Sequence, residues 1–166
     1  MSNKNQAIDT NASFQSGADM SSKEQEILTD IISKTNFEPE EVIWRSSYWG
    51  TNQIGAVHYR GKFKGKTVVL KIQGVKPAVS EIYMIGEFEK QNKSKIIRPP
   101  KLFYTIPWSD EEGYEALIME HVTGSKVLES KKLQTRENIK IFVDLYQEYR
   151  LNCLPKKDWL PRPHAS

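Results

Sequence analysis

Thr67-Val68-Val69-Leu70-Lys71-Ile72-Gln73 is the run on which the reading of the fold turns. β-branched and aliphatic residues in a short stretch with no helical spacing make it a strand. Its centre is apolar on both faces, as in a sheet interior. Lys71 interrupts that pattern and shares a face with Val69 and Thr67. Burying an unpaired ammonium costs several kcal/mol or shifts its pKa, so this lysine needs either a partner or a path to water. An edge lysine reaching solvent is the plain reading; a lysine held toward an anion is the functional one.

Working outward, Lys64-Gly65-Lys66 turns the strand back onto a second one, Ala56 to Phe63. Before it, Val42 to Trp49 alternates with β-branched and aromatic residues and forms a first strand. Ser21-Ser22-Lys23-Glu24 reads as a capping box ahead of a helix carrying Ile27, Leu28, Ile31 and Ile32 on one face. Downstream, helical spacing returns from Ser80 to Asn92 with Ile82, Ile85 and Phe88. Two further strands follow, at 102–106 and 114–122. Thr135 caps a last helix over 136–151, with Ile139, Phe142, Val143, Tyr146 and Tyr149 along one side. Short connections make the first three strands antiparallel neighbours. The expected fold class is α+β: a five-stranded antiparallel sheet with a packed helix, followed by one more helix. The expected organisation is a disordered arm at 1–20, a sheet-and-helix lobe at 21–124, and a linker and helix at 125–166.

The chain has 166 residues, 24 basic and 21 acidic, for a net charge of +3. That balance is too mild to argue for nucleic acid by itself. No apolar run approaches the ~20 residues that cross a bilayer. No apolar segment opens the chain as a secretory signal would, and a single cysteine, Cys153, forms no internal disulfide. A reducing, cytoplasmic setting is expected. The histidines and the cysteine show no metal-ligand spacing.

Gly50-Thr51-Asn52-Gln53-Ile54-Gly55-Ala56-Val57 has the spacing G-x-N-x-x-G-x-V between two antiparallel strands. Glycines there let backbone N–H groups close over phosphates, although two glycines in a hairpin also serve as simple turn residues. Glu81 heads the second helix. It reads either as an acid favoured by the helix dipole or as a partner for Lys71, with Glu87 as a second candidate.

Taken in order, these segments resemble the N-terminal lobe of the protein-kinase-like superfamily, in its aminoglycoside phosphotransferase and choline kinase branch. Val68-Val69-Leu70-Lys71 stands where that superfamily has its V-A-I-K strand. Glu81-Ile82-Tyr83-Met84-Ile85-Gly86-Glu87-Phe88 looks like its E-x3-L-x2-L helix. Leu117-Ile118-Met119-Glu120-His121-Val122-Thr123-Gly124 looks like its inter-lobe L-I-M-E-Y-x-x-G segment. The resemblance implies that Gly50, Thr51, Asn52 and Gly55 cover the phosphates of ATP. It implies that Val57 and Val69 roof the adenine, that Lys71 contacts the phosphates, and that Glu81 orients Lys71. Met119 would back the pocket, and the backbone of Glu120 and Val122 would meet the adenine edge. Asn52 departs from the middle glycine of the protein-kinase loop.

Phosphoryl transfer also needs a base for the acceptor and carboxylates for Mg²⁺. In this family these belong to an H-x-D-x4-N loop and a later aspartate. None of His58, His121 and His164 is followed two residues on by Asp, and neither Asp144 nor Asp158 has an asparagine at the required offset. No catalytic or metal-binding residue is therefore expected here, and the chain reads either as the front part of a longer kinase or as a natural short form. The expected function is the ATP-binding lobe of a small-molecule phosphotransferase, using ATP and Mg²⁺ on a hydroxyl acceptor read elsewhere, and inactive alone. The alternatives are a protein-interaction module, or a nucleic-acid binder built on Trp44, Tyr48, Trp49, Tyr59 and Phe63 among Arg45, Arg60, Lys62, Lys64 and Lys66. In that last reading the rings are as readily core and the lysines a solvated face, so neither nucleic acid nor membrane is the expected partner.

Overall fold

A computed structural model describes residues 20–47, 54–123 and 135–153. Gly50, Thr51, Asn52, Tyr48, Trp49, all but the last residue of the expected arm at 1–20, and the proline-rich tail lie outside the described residues. The chain divides into two compact units, residues 1–77 with 101–121 and residues 78–100 with 122–166.

The first unit opens with helix α1, Ser22–Thr35. Ser21 caps it by accepting the Glu24 N–H at 3.1 Å. Asn36 ends it in the left-handed conformation (φ 57°), a conformation that asparagine tolerates better than most residues. Five strands follow: β1 Glu38–Ser47, β2 Ile54–Phe63, β3 Lys66–Gln73, β4 Leu102–Ser109 and β5 Tyr114–Glu120. They form one antiparallel sheet in the order β1-β2-β3-β5-β4, so β3 is its middle strand. The protein is α+β, as the periodicities indicate.

Lys64 (φ 51°) and Gly65 (φ 74°) make the two-residue turn between β2 and β3 and set Phe63 opposite Lys66. That register decides which side chains face the core. Val57, Tyr59, Val68, Leu70, Ile72, Ala116 and Ile118 turn to one face and pack with Ile27, Leu28 and Ile31 of α1. Gly61 sits where a Cβ would fall 2.3 Å from the Glu38 carbonyl oxygen and 2.5 Å from Phe37 Cζ. Only glycine lets the Phe37 ring lie against the sheet there.

The expected capping box forms only by half. Instead of folding back on its own helix, the Glu24 carboxylate, 1 % exposed, reaches across to the sheet. It accepts two hydrogen bonds from Arg45, Nε at 2.9 Å and Nη2 at 2.8 Å, and one from the Tyr59 hydroxyl. Burial pulls the Arg45 pKa down, and the Glu24 carboxylate more than offsets it. For Tyr59, burial and the same carboxylate both hold the phenol protonated well above its ordinary range. A buried carboxylate is tolerated here because the cation and the hydroxyl saturate its oxygens.

The second unit contains helix α2, Glu81–Gln91, and helix α3, Arg136–Glu148, which passes into a π-helical turn at Tyr149–Cys153. Asn92 ties it together. Its amide donates to the Ile97 carbonyl at 2.6 Å, and its side-chain oxygen accepts from Ser94 N–H (2.8 Å) and the Cys153 thiol (3.3 Å). Burial raises the Cys153 pKa, which marks an inert thiol rather than a reactive one. Thr135 caps α3 as its sequence suggests, accepting the Asn138 N–H at 3.3 Å. No helix among the described residues is long and apolar enough to cross a membrane.

Candidate functional site

Lys71 lies near the C-terminal end of the central strand, on the face turned away from α1. Paired residues share a face, so the register places His58 and Leu117 on either side of it. Val69, one pleat away on the same face, stands between Arg60 and Met119. Lys71, Val69 and Met119 are all partly buried, and Leu117 is fully buried. A partly buried lysine therefore adjoins Val69, Leu117 and Met119 on this face. His58 is held from the far side by the Trp44 ring, with centroids 5.2 Å apart. Lys71, Val69 and Met119 are thus brought onto one face, as expected.

Val57 is not. It pairs with Ile72, faces α1 and is 0 % exposed, on the opposite side of the sheet from Val69. It cannot roof a ligand lying against Lys71. The residues sharing the Lys71 face on β2 are instead Ala56, His58 and Arg60. Counting back from the Lys64-Gly65 turn gives this parity, a signal already present in the sequence.

Gly55 has a local reason to be glycine. A Cβ there would lie 2.5 Å from Ser46 Oγ, and its carbonyl accepts the Gly74 N–H at 2.9 Å. Glu120 closes β5: its N–H donates to the Lys101 carbonyl at 2.9 Å and its carboxylate accepts the Lys101 N–H at 3.2 Å. In the second unit, Glu81 is the first residue of α2, behind the Ser80 cap, and partly buried. Val122 is exposed. Glu87 accepts from Lys90 at 2.6 Å, which holds its carboxyl below the usual range.

Several members of the basic-aromatic set have structural roles, while Tyr48 and Trp49 lie outside the described residues. Tyr59 and Phe63 are core residues, Arg45 is clamped by Glu24, and Arg60 pairs with Glu41 at 2.9 Å. A concavity of about 640 Å³ lies elsewhere in the first unit, lined by Ile27, Val75, Lys76, Trp108 and Asp110 among others. It includes none of the candidate nucleotide-binding residues read from the sequence. Its charges are already matched, since Asp110 accepts from both Lys76 (2.9 Å) and the Trp108 indole (2.8 Å). Among the described residues no group of three or more His, Cys, Asp and Glu is placed to hold a metal.

The fold and this face define an α+β protein with a lysine on the middle strand of an antiparallel sheet. No protein-family model, curated protein or solved structure matches the chain.

Proposed function

We propose that this chain is the ATP-binding lobe of a cytoplasmic small-molecule phosphotransferase, similar to the aminoglycoside and choline kinases. The observation that carries the reading is Lys71 on the central strand, in register beside the partly buried Val69 and Met119 on the face turned away from α1. An apolar shelf next to a cation suits a flat base joined to a chain of phosphates. Lys71 would hold phosphate oxygens, and Val69 and Met119 would pack the base. ATP would supply the phosphoryl group for a hydroxyl acceptor. Mg²⁺ would arrive with the nucleotide, and no described residue is assigned to it. The strand and helix order that accompanies the kinase-like motifs supports the reading.

The test is titration with a fluorescent N-methylanthraniloyl ATP in the presence of Mg²⁺. Saturable binding is expected, and Lys71→Ala weakens it about 10- to 100-fold, the worth of one hydrogen bond to a charged group. No saturation, or equal binding by Lys71→Ala, refutes the proposal. The interaction-module reading has one observation of its own: Ile139, Phe142, Val143 and Tyr146 on α3 are all exposed. Nucleotide-independent dimerisation lost in Phe142→Asp would favour it instead.

A further inference from the structure

We propose that the corner of the sheet where the β2–β3 turn meets the start of β4 is a docking surface for an extended, acidic peptide segment. Three exposed lysines converge there from two parts of the chain. Lys64 Nζ lies 5.1 Å from the centre of the Phe63 ring. Lys66 and Lys101 lie 5.5 and 5.9 Å from the centre of the Phe103 ring. Cations at these distances are held by the ring quadrupole, which restricts them without neutralising them.

Among the described residues elsewhere in the first unit, exposed lysines have acidic partners: Lys23 with Glu26, Lys34 with Asp30 and Glu112, Lys62 with Glu40, Lys76 with Asp110. Lys64, Lys66 and Lys101 form no ion pair among the described residues. The Glu120 carboxylate, which accepts the Lys101 backbone N–H at 3.2 Å, keeps its single charge against three lysines, so these four groups together are net positive. Three restrained, unmatched cations at one place call for an anionic partner.

The rest of the corner selects its class. The ring faces of Phe63 and Phe103 are already taken by ammonium groups and by the core, so they offer no platform for stacked bases. The turn itself is Lys64-Gly65-Lys66-Thr67, with no large apolar side chain to enter a bilayer. β4 is the last strand of the sheet and begins at Leu102, directly after Lys101. An edge strand can accept an added strand through its free backbone groups. Tyr104 on β4 is 37 % exposed and lies tilted against Phe63 at 6.3 Å, an apolar contact beside the lysines. A strand alternating acidic and apolar residues fits both features. The inference does not depend on the nucleotide reading, which concerns a different set of residues.

Fluorescence anisotropy on the full chain tests it with a labelled peptide of alternating Glu and Val at about 50 mM NaCl. Saturable binding is expected, weakening at about 300 mM NaCl because exposed pairs are screened. Replacing Glu by Gln in the peptide, or making the Lys64→Gln/Lys66→Gln/Lys101→Gln variant, each weakens binding about tenfold or more. Backbone N-methylation at alternate peptide positions abolishes it. These lysines are exposed, so the variant is expected to keep its fold, and circular dichroism checks this. Equal binding of the Glu and Gln peptides, an unaffected lysine variant, or unimpaired binding of the N-methylated peptide overturns the proposal. So does lysine-dependent capture of oligo(dT) or of phosphatidylserine vesicles with no binding of the Glu peptide.

Discussion

Replacing Glu24 with alanine should cost this protein about as much as truncating a large, fully buried apolar side chain. Its carboxylate is 1 % exposed and takes two hydrogen bonds from Arg45, whose side chain is itself only 12 % exposed, and a third from the Tyr59 hydroxyl. Removing one partner of a buried ion pair costs about 3–5 kcal/mol, because the other charge is left without compensation. Domains of this kind are stable by about 5–15 kcal/mol, so Glu24→Ala should consume a large share of that margin. At about 4 kcal/mol the thermal midpoint of the sheet unit would fall by about 20 °C. Urea unfolding followed by circular dichroism and tryptophan fluorescence measures it. Glu24→Gln keeps one acceptor oxygen and should cost about half as much. The stranded guanidinium is the stated cause, so Arg45→Met made in the Glu24→Ala background should restore stability rather than lower it further. A Glu24→Ala cost below about 1 kcal/mol, or strictly additive costs in the double variant, would refute the reasoning.

Two other perturbations follow from geometry. Gly61→Ala puts a Cβ 2.3 Å from the Glu38 carbonyl oxygen and 2.5 Å from the Phe37 ring. The sheet unit should lose about 1–3 kcal/mol in urea unfolding. Gly86→Ala, inside α2 with no atom within 4 Å of the new Cβ, should instead stabilise α2 by about 0.5–1 kcal/mol. Alkaline pH gives the third. Burial and the Asp30 carboxylate push Tyr114 up to about 12, and burial with Glu24 raises Tyr59 as well. Folded-state values above the unfolded value of about 10 mean that this stability is complete below pH ~10 and is lost as pH rises through the folded values. Stability measured from pH 9 to 12 should fall, and Tyr114→Phe should flatten part of the fall; a pH-independent profile in the parent chain contradicts it.

Residues whose partners are near in sequence are legible in the sequence itself. Ser21 and Thr135 cap the helices they were expected to cap, and Lys64-Gly65 turns the central hairpin. Helix caps and two-residue turns are decided within a few residues, so the pattern carries them. Glu24 shows where such reasoning stops. As the acid three residues after a capping serine it satisfies the local motif, yet its carboxylate is worth more to Arg45 and Tyr59. Nothing within α1 announces partners that arrive with the sheet.

Val57 shows a second limit, of a different kind. Its distance from the preceding glycines matches a phosphate-covering loop, but a strand residue acts on whichever face its register assigns. In a sheet that assignment is a parity, and an error of one residue exchanges the core for the outer surface. The β2–β3 turn, rather than the glycine spacing upstream, fixes the parity here. It sends Val57 and Ile72 toward α1 and leaves His58, Lys71 and Leu117 in a row on the other side. A ligand at Lys71 would therefore meet Val69 and Met119, with His58 and Arg60 as its neighbours on β2 in place of a second valine. A ligand that needed an apolar contact from Val57 would have to sit inside the α1 core, where no side chain is more than 3 % exposed along Ile27, Leu28 and Ile31.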